Sequence, residues 1–176
     1  ACDVSASRLE LVREFMESRN HKNVEYYVLD ASKPLPFADD FDLVLCDVPC
    51  SGLGLLARRP EIRLRVSYES IERLKILQAA ILQEASSLVA PGAWLYYTTC
   101  TINPDENSGQ IRTFLDSKKG QAFDLENLRL ELPAALMQTY DTSAERNELG
   151  GDVSLLAHRD GSDGFYLCRL RKSLRE

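Results

Sequence analysis

The sequence predicts an α/β protein built on a mostly parallel sheet whose C-terminal strands form an antiparallel edge. Three observations predict it. Short apolar runs alternate with stretches of helical periodicity, the pattern of a parallel sheet covered by helices. Three of those runs end on an aspartate, at Asp3, Asp30 and Asp47. Two final strand-like runs, 153–157 and 165–170, flank Asp160-Gly161-Ser162-Asp163-Gly164, a glycine-rich turn of the hairpin kind.

Taken in order, Ala1-Cys2-Asp3 reads as the end of a strand. Ser5 or Ser7 can cap the next helix, and Glu10, three residues after Ser7, completes a capping box. Leu9, Val12, Phe15 and Met16 give that helix an apolar stripe to about Arg19. Residues 24–29 read as a strand ending at Asp30, and two prolines in Ser32-Lys33-Pro34-Leu35-Pro36 make a loop. Leu43-Val44-Leu45-Cys46 is a buried strand that ends on Asp47 and runs into Val48-Pro49-Cys50-Ser51-Gly52. A long loop, 51–66, follows with Gly52, Gly54 and Pro60. A helix over 68–89 buries Ile71, Leu74, Leu77, Ile81, Ala85 and Leu88, and Pro91-Gly92 stops it. The strand 94–99 leads at once to Cys100. Asn103-Pro104-Asp105-Glu106 starts a helix, with an Asn cap, Pro in the first turn and Glu three residues after the cap. Ile111, Phe114 and Leu115 form its buried side. Beyond it, 118–151 is less regular, with a short strand inside 123–130 and a polar loop at 141–151.

A chain of 176 residues fits one domain, and 44% hydrophobic with 27% charged residues is ordinary for a globular protein. No apolar run approaches a membrane span, and the N-terminus lacks the regions of a signal peptide. Five cysteines without a CxxC pair suggest neither a zinc site nor a disulfide framework, so reduced thiols of a cytoplasmic protein and no metal are expected. A net charge of −6 excludes nucleic-acid binding by overall attraction. Local patches remain available in Arg58, Arg59, Arg63 and Arg65. The C-terminal cluster of Arg169, Arg171, Lys172 and Arg175 reads as solvated surface.

The chemistry-bearing residues gather at strand ends, where an open α/β sheet binds its ligands. A single aspartate there is usually a cap; three in series favour a ligand with ribose hydroxyls, and Asp3, just before a helix, is the most ribose-like. Cys100 is a candidate nucleophile. The helix start after it favours its thiolate, while Asp105 and Glu106 oppose that. Cys50 lies in a Pro-Cys-Ser-Gly turn open to a ligand. Cys2, Cys46 and Cys168 read as core, His21 and His158 as surface, and Trp94 as packing.

Together, Asp47-Val48-Pro49-Cys50-Ser51-Gly52, Thr99-Cys100-Thr101 and Asp105-Glu106-Asn107 resemble the RNA cytosine-5 methyltransferases, above all the bacterial Sun/Fmu type that acts on small-subunit ribosomal RNA. The similarity runs from Asp3-x-Ser5-x-x-Arg8-Leu9 to His158-Arg159-Asp160-Gly161-Ser162-Asp163-Gly164-Phe165. It implies the class I S-adenosylmethionine-dependent fold, a seven-stranded sheet with its last two strands antiparallel. It also implies an enzyme that moves a methyl group from S-adenosylmethionine to carbon 5 of a cytosine in RNA. On that resemblance Cys100 attacks carbon 6, Asp47 holds the polar edge of the base near the methyl donor, and Cys50 helps release the product. Asp3 binds the cofactor ribose and Asp30 the region of its adenine. The loop with Arg58, Arg59 and Arg63 follows Cys50 and is placed to hold phosphates beside a base taken out of its stack.

The family's glycine-rich cofactor loop and first strand would precede Ala1, and a Trp is usual where Leu64 stands. The chain is therefore expected to be a C-terminal catalytic-domain fragment, 1–176 being a partial domain that alone binds cofactor weakly or not at all and is inactive. Two rivals carry other chemistry. A DNA cytosine-5 methyltransferase would use Cys50, after its proline, as nucleophile; a non-catalytic methyltransferase-like domain would only bind RNA. An amino-methylating enzyme has an aromatic residue where Cys50 stands.

Overall fold

A computed structural model describes residues 1–38, 40–134, 136 and 149–174. The expected polar loop at 141–151 lies, up to residue 148, outside the described residues, as does Arg175. In chain order the elements are β1 (Cys2–Asp3), α1 (Ala6–Ser18), β2 (Tyr27–Val28), β3 (Phe41–Asp47), α2 (Tyr68–Ser87), β4 (Val89–Thr99), α3 (Ser108–Leu115), β5 (Phe123–Leu125), β6 (Val153–Leu155), α4 (Ala157–Asp160) and β7 (Phe165–Lys172). No helix among the described residues is long and apolar enough to cross a membrane.

The strands form two sheets. β1 and β2 pair in parallel; the larger sheet runs β3-β4-β7-β5, with β6 also on β7. β3 and β4 are parallel, and β7 is antiparallel to β4, β5 and β6 alike. The C-terminal strands form the antiparallel side of the sheet, as the sequence suggests, with β7 inside it and β5 and β6 on the outer flank. Six of the eight residues of β7, from Tyr166 to Arg171, pair with β4 on one side. On the other side β7 carries β6 against Phe165–Leu167 and β5 against Leu170–Lys172. Two short strands share one flank, because neither is long enough to cover β7 alone. A short helix, α4, and Gly161 at φ +64 make the turn between β6 and β7.

Local chemistry explains the other departures. α1 is capped by Ser5, whose side chain accepts the Arg8 N–H; no box forms from Ser7 and Glu10. Of its apolar stripe only Leu9 is buried, since the two-residue strands beneath α1 are too short to cover Val12 and Phe15. α2 starts with a reciprocal Ser67–Ser70 capping box and ends at Ser87. Pro91-Gly92 does not stop it. The pair lies inside β4, where the register slips from Phe41↔Val89 to Leu43↔Trp94. A proline without an N–H and a glycine at φ +80 are tolerated in such an irregularity. Leu82 and Ala85 of α2 pack with Leu95 and Tyr97 of β4, Ile111 and Phe114 of α3, and Cys168 and Leu170 of β7 in the main core. Trp94, midway along β4, is half-exposed, with the Arg171 guanidinium 5.9 Å from its ring centre, and so is not core.

β3 has a strand neighbour only on its β4 side among the described residues. The opposite flank opens on a cleft of about 1250 Å³ that β1, β2 and β3 line together. Phe41, Leu43 and Leu45 face it and are 41%, 50% and 61% exposed, a row of apolar side chains without cover. Cys2 lines the same cleft and is exposed rather than core, because among the described residues β1 has a strand neighbour only in β2.

Candidate active site

Parallel register brings the two cysteine motifs together. Cys46 pairs with Tyr97 and Asp47 with Thr98, so both chains leave the sheet at the same edge. Three residues beyond Asp47 is Cys50; two beyond Thr98 is Cys100. Their sulfurs lie 3.4 Å apart. Both thiols are partly exposed and line the cleft, whereas Cys46 and Cys168 are buried in the core.

Five polar side chains, Thr99, Asn107, Ser51, Glu106 and Gln78, pin these turns. The Thr99 hydroxyl donates to Asn107 Oδ1 at 2.6 Å, and Asn107 Nδ2 donates to the Thr101 carbonyl at 2.9 Å, so one amide brackets Cys100. Ser51 donates its N–H and its hydroxyl to Glu106, at 2.8 and 2.5 Å. Gln78 Nε2 donates to the Pro49 carbonyl at 2.9 Å and to Glu106 at 3.0 Å. The backbone on either side of Cys50 is thus held from within the protein. Gly54 closes the arrangement. Its N–H donates to the Cys100 carbonyl at 3.0 Å and its carbonyl accepts the Gly164 N–H at 2.8 Å. A side chain there would strike both backbones.

The two thiols ionise differently. The Cys50 S–H beside Cys100 lowers the Cys100 pKa to about 7, against the partial burial of the site and the charges of Asp47 and Glu106. The same contact, with burial, pushes Cys50 well above the ordinary thiol range. Cys100 therefore ionises more readily than an ordinary thiol. Burial alone pushes Cys46 up to about 12, and burial together with the nearby Asp152 charge pushes Cys168 higher still, as for inert core thiols. The sequence credits a helix start with favouring the Cys100 thiolate; in the fold α3 begins only at Ser108 and the neighbouring thiol has that part.

Asp3, Asp30 and Asp47 all line the cleft with Cys50 and Cys100. Each is pinned through Oδ1. Asp3 Oδ1 takes the Ser5 N–H at 2.7 Å and the Arg8 guanidinium at 2.7 and 3.1 Å. Asp30 Oδ1 takes the hydroxyl and N–H of Ser32, which hold its carboxyl below the usual range. Asp47 Oδ1 takes the Thr98 hydroxyl at 3.1 Å. Among the described residues none of the three uses Oδ2. Three oriented carboxylates, each with an oxygen to spare, fit a ligand rich in hydroxyl and amino donors.

Arg58, Arg59, Arg63 and Arg65 are exposed in and around the helical turn Pro60–Leu64, which Arg59 and Arg65 flank, and none lines the cleft. Arg58 meets Asp163 at 3.1 Å with its side chain 76% exposed. A pair so exposed is worth about 0–1 kcal/mol, too little to keep Arg58 from a phosphate. Leu64, where the family usually has Trp, is fully open to solvent.

Sequence reasoning quoted Ser51, Glu106, Asn107 and Gly164 within turns and motifs without giving them these contacts, and it passed over Gln78. The readable signal was the polar run from Thr101 to Asn107 straight after a strand. Gln78, within an otherwise amphipathic helix, offered a weaker one.

Comparison with known proteins agrees with this geometry. The sequence profile of the family described as 16S rRNA methyltransferase RsmB/F matches residues 1–171. A probable ribosomal RNA small subunit methyltransferase B from Synechocystis sp. is 37% identical over 132 residues, which are 75% of this chain and 27% of that protein. The crystal structure of PH0851 superposes with a TM-score of 0.82 at 31% identity, over 98% of this chain and 36% of the other. NSun6 from Pyrococcus horikoshii, solved with SFG, superposes with a TM-score of 0.75 at 24% identity, over 100% of this chain and 41% of that one, and speaks for the fold alone. The chain spans about a third of the length of these proteins. Its fold is the class I S-adenosylmethionine-dependent methyltransferase fold, and the chain belongs to the 16S rRNA methyltransferase RsmB/F family.

Proposed function

We propose that this chain carries the catalytic residues of an enzyme that methylates carbon 5 of a cytosine in small-subunit ribosomal RNA, with S-adenosylmethionine as donor and a covalent Cys100–cytosine intermediate. The observation that carries the reading is the pair of thiols 3.4 Å apart, one eased toward thiolate and the other held protonated. S-adenosylmethionine supplies the methyl group. Asp3 and Asp30 hold its ribose and adenine ends, and Asp47 lines the same cleft as the two thiols.

The residues divide the work. A pyrimidine carbon 5 is a poor nucleophile, and adding the Cys100 thiolate to carbon 6 moves electron density onto carbon 5. Asp47, fixed by Thr98, uses Oδ2 to hold the amino edge of the base. Once Cys100 has become a thioether, its negative charge beside Cys50 is gone. The contact that kept Cys50 protonated goes with it, and Cys50 becomes a better base. It then assists removal of the carbon 5 proton: the carbon 5–hydrogen electrons restore the ring double bond as the carbon 6–sulfur bond breaks, and the electrons of that bond leave with Cys100 as its thiolate. Arg58, Arg59 and Arg63 hold phosphates near the extruded base, a contribution that positions without reading sequence.

The test uses the full-length protein with small-subunit ribosomal RNA and labelled S-adenosylmethionine. Cys100→Ala is expected to abolish methylation and to form no adduct. Cys50→Ala is expected to accumulate a protein–RNA adduct resistant to denaturant. The reverse pattern would assign the attack to Cys50 and overturn the reading.

A further inference from the structure

Glu106 is the most fully committed carboxylate among the described residues. It lies in the turn Pro104–Glu106, just before α3, and is 0% exposed. One oxygen takes the Ser51 N–H at 2.8 Å and Gln78 Nε2 at 3.0 Å. The other takes the Ser51 hydroxyl at 2.5 Å and Asn103 Nδ2 at 3.1 Å. Four donors fill the positions that a carboxylate offers, which is what makes a buried charge tolerable.

These donors come from the residues that frame the two thiols. Ser51 follows Cys50, and Gln78 spends its other N–H on Pro49, which precedes Cys50. With the Ser51 proton given to Glu106, the 2.8 Å contact between Ser51 and Thr101 has Thr101 as donor, and Thr101 follows Cys100. Asn103 closes the circuit by donating its N–H to the Thr101 hydroxyl at 3.2 Å. The Tyr97 hydroxyl, from the middle of β4, donates to the Glu106 carbonyl at 2.7 Å and fixes the carboxylate relative to the sheet.

The charge itself works against the proposed nucleophile, since both Glu106 and Asp47 make the Cys100 thiolate harder to form. An ionised group buried there opposes ionisation and so serves geometry. We infer that Glu106 is a positioning residue that sets the Cys50 and Cys100 sulfurs against one another, acting through Ser51, Gln78 and Thr101. The inference rests on the two-thiol reading above, and its experiment has a readout that needs no methyl transfer.

Glu106→Gln keeps the shape and turns one oxygen into an N–H₂ group facing donors. The probe is iodoacetamide, with modification of Cys100 followed against pH by peptide mass spectrometry, beside methylation by the full-length protein. If Glu106 positions the thiols, their contact is lost and the Cys100 midpoint rises from about 7 toward the ordinary thiol value. Methylation kcat then falls about a hundredfold, with KM for RNA within about twofold, the signature of misplaced reacting groups. If Glu106 acts only through its charge, the midpoint falls instead. Ser51→Ala, which removes one hydroxyl, is the second variant and is expected to raise the midpoint less. A midpoint that stays or falls in both variants overturns the inference. Wild-type protein that alkylates as expected yet transfers no methyl group overturns the functional reading instead.

Discussion

The sulfurs of Cys50 and Cys100 lie 3.4 Å apart although fifty residues separate them in sequence. The contact follows from the parallel pairing of β3 and β4, which delivers both turns to one sheet edge. A proton shared between two sulfurs favours one thiolate and disfavours a second, so the pair loses its first proton easily and its second with difficulty. Cys100 alkylation in the wild type is therefore expected to rise with pH through a midpoint of about 7. Cys50→Ala removes the donor that lowers this value and is expected to move the midpoint up. Cys50→Ser, which retains a donor, is expected to move it less. A Cys100 midpoint near 9 in the wild type would contradict the assignment.

The same proximity predicts an oxidation product. Hydrogen peroxide takes two electrons from the Cys100 thiolate to give a sulfenic acid, and Cys50 then displaces water to form the Cys50–Cys100 disulfide. Two thiols and one peroxide become one disulfide and two waters. The sulfurs need to close by about 1.4 Å to reach the disulfide length. The expected product has lost two hydrogens by mass, contains the linked Cys50 and Cys100 peptides, and regains both thiols on reduction. Stable sulfinic acid at Cys100 in place of the disulfide would show that the two turns cannot approach.

Much of this was legible before the fold was known. Asp47, Cys50 and Cys100 could be placed at strand ends because apolar runs stop there, and the parallel register then did the rest. Burial by contact was not legible. The stripe Leu9, Val12, Phe15 and Met16 has helical spacing, yet periodicity says nothing of how large a surface the helix meets, and β1 and β2 are too short to cover it. Pro91-Gly92 looked like a helix stop because no local rule foresees an irregularity forced by matching β4 to β3. Glu106 looked like a capping residue because Glu three residues after Asn is that signal. The four hydrogen bonds to its carboxylate come from three residues, in the Cys50 turn, α2 and the Cys100 turn, and such convergence is invisible in one dimension.

Gly54 carries a packing prediction. Its α-carbon passes between the Cys100 and Gly164 backbones, and an added Cβ would stand 2.7 Å from the Cys100 carbonyl oxygen, with the Gly164 carbonyl as close. Neither neighbour is the end of a flexible side chain, so the backbone must move. Gly54→Ala is expected to cost about 1–3 kcal/mol in urea denaturation, the range for overpacking. The displaced atoms include the carbonyl of Cys100 itself, so methyl transfer is expected to fall in protein that remains folded. Gly161→Ala is the control: nothing lies within 4 Å of a Cβ there, and the cost is that of its φ of +64 alone.

Asp47 gives the clearest separation of chemistry from stability. Its Oδ1 accepts the Thr98 hydroxyl, and an asparagine oxygen can accept the same bond. The carboxylate is exposed to the cleft, so Asp47→Asn neither opens a cavity nor strands a buried charge, and stability is expected to change by less than about 0.5 kcal/mol. The charge, in contrast, matters twice. It makes the Cys100 thiolate harder to form, so its removal is expected to lower the Cys100 alkylation midpoint and to make the thiol more reactive near neutral pH. If Asp47 also holds the amino edge of the cytosine, losing the carboxylate is expected to slow methyl transfer by about a hundredfold or more. The two readouts then move in opposite directions: a more reactive nucleophile in a slower enzyme. Methylation that rises together with Cys100 reactivity would mean that Asp47 only opposes ionisation and has no hold on the base.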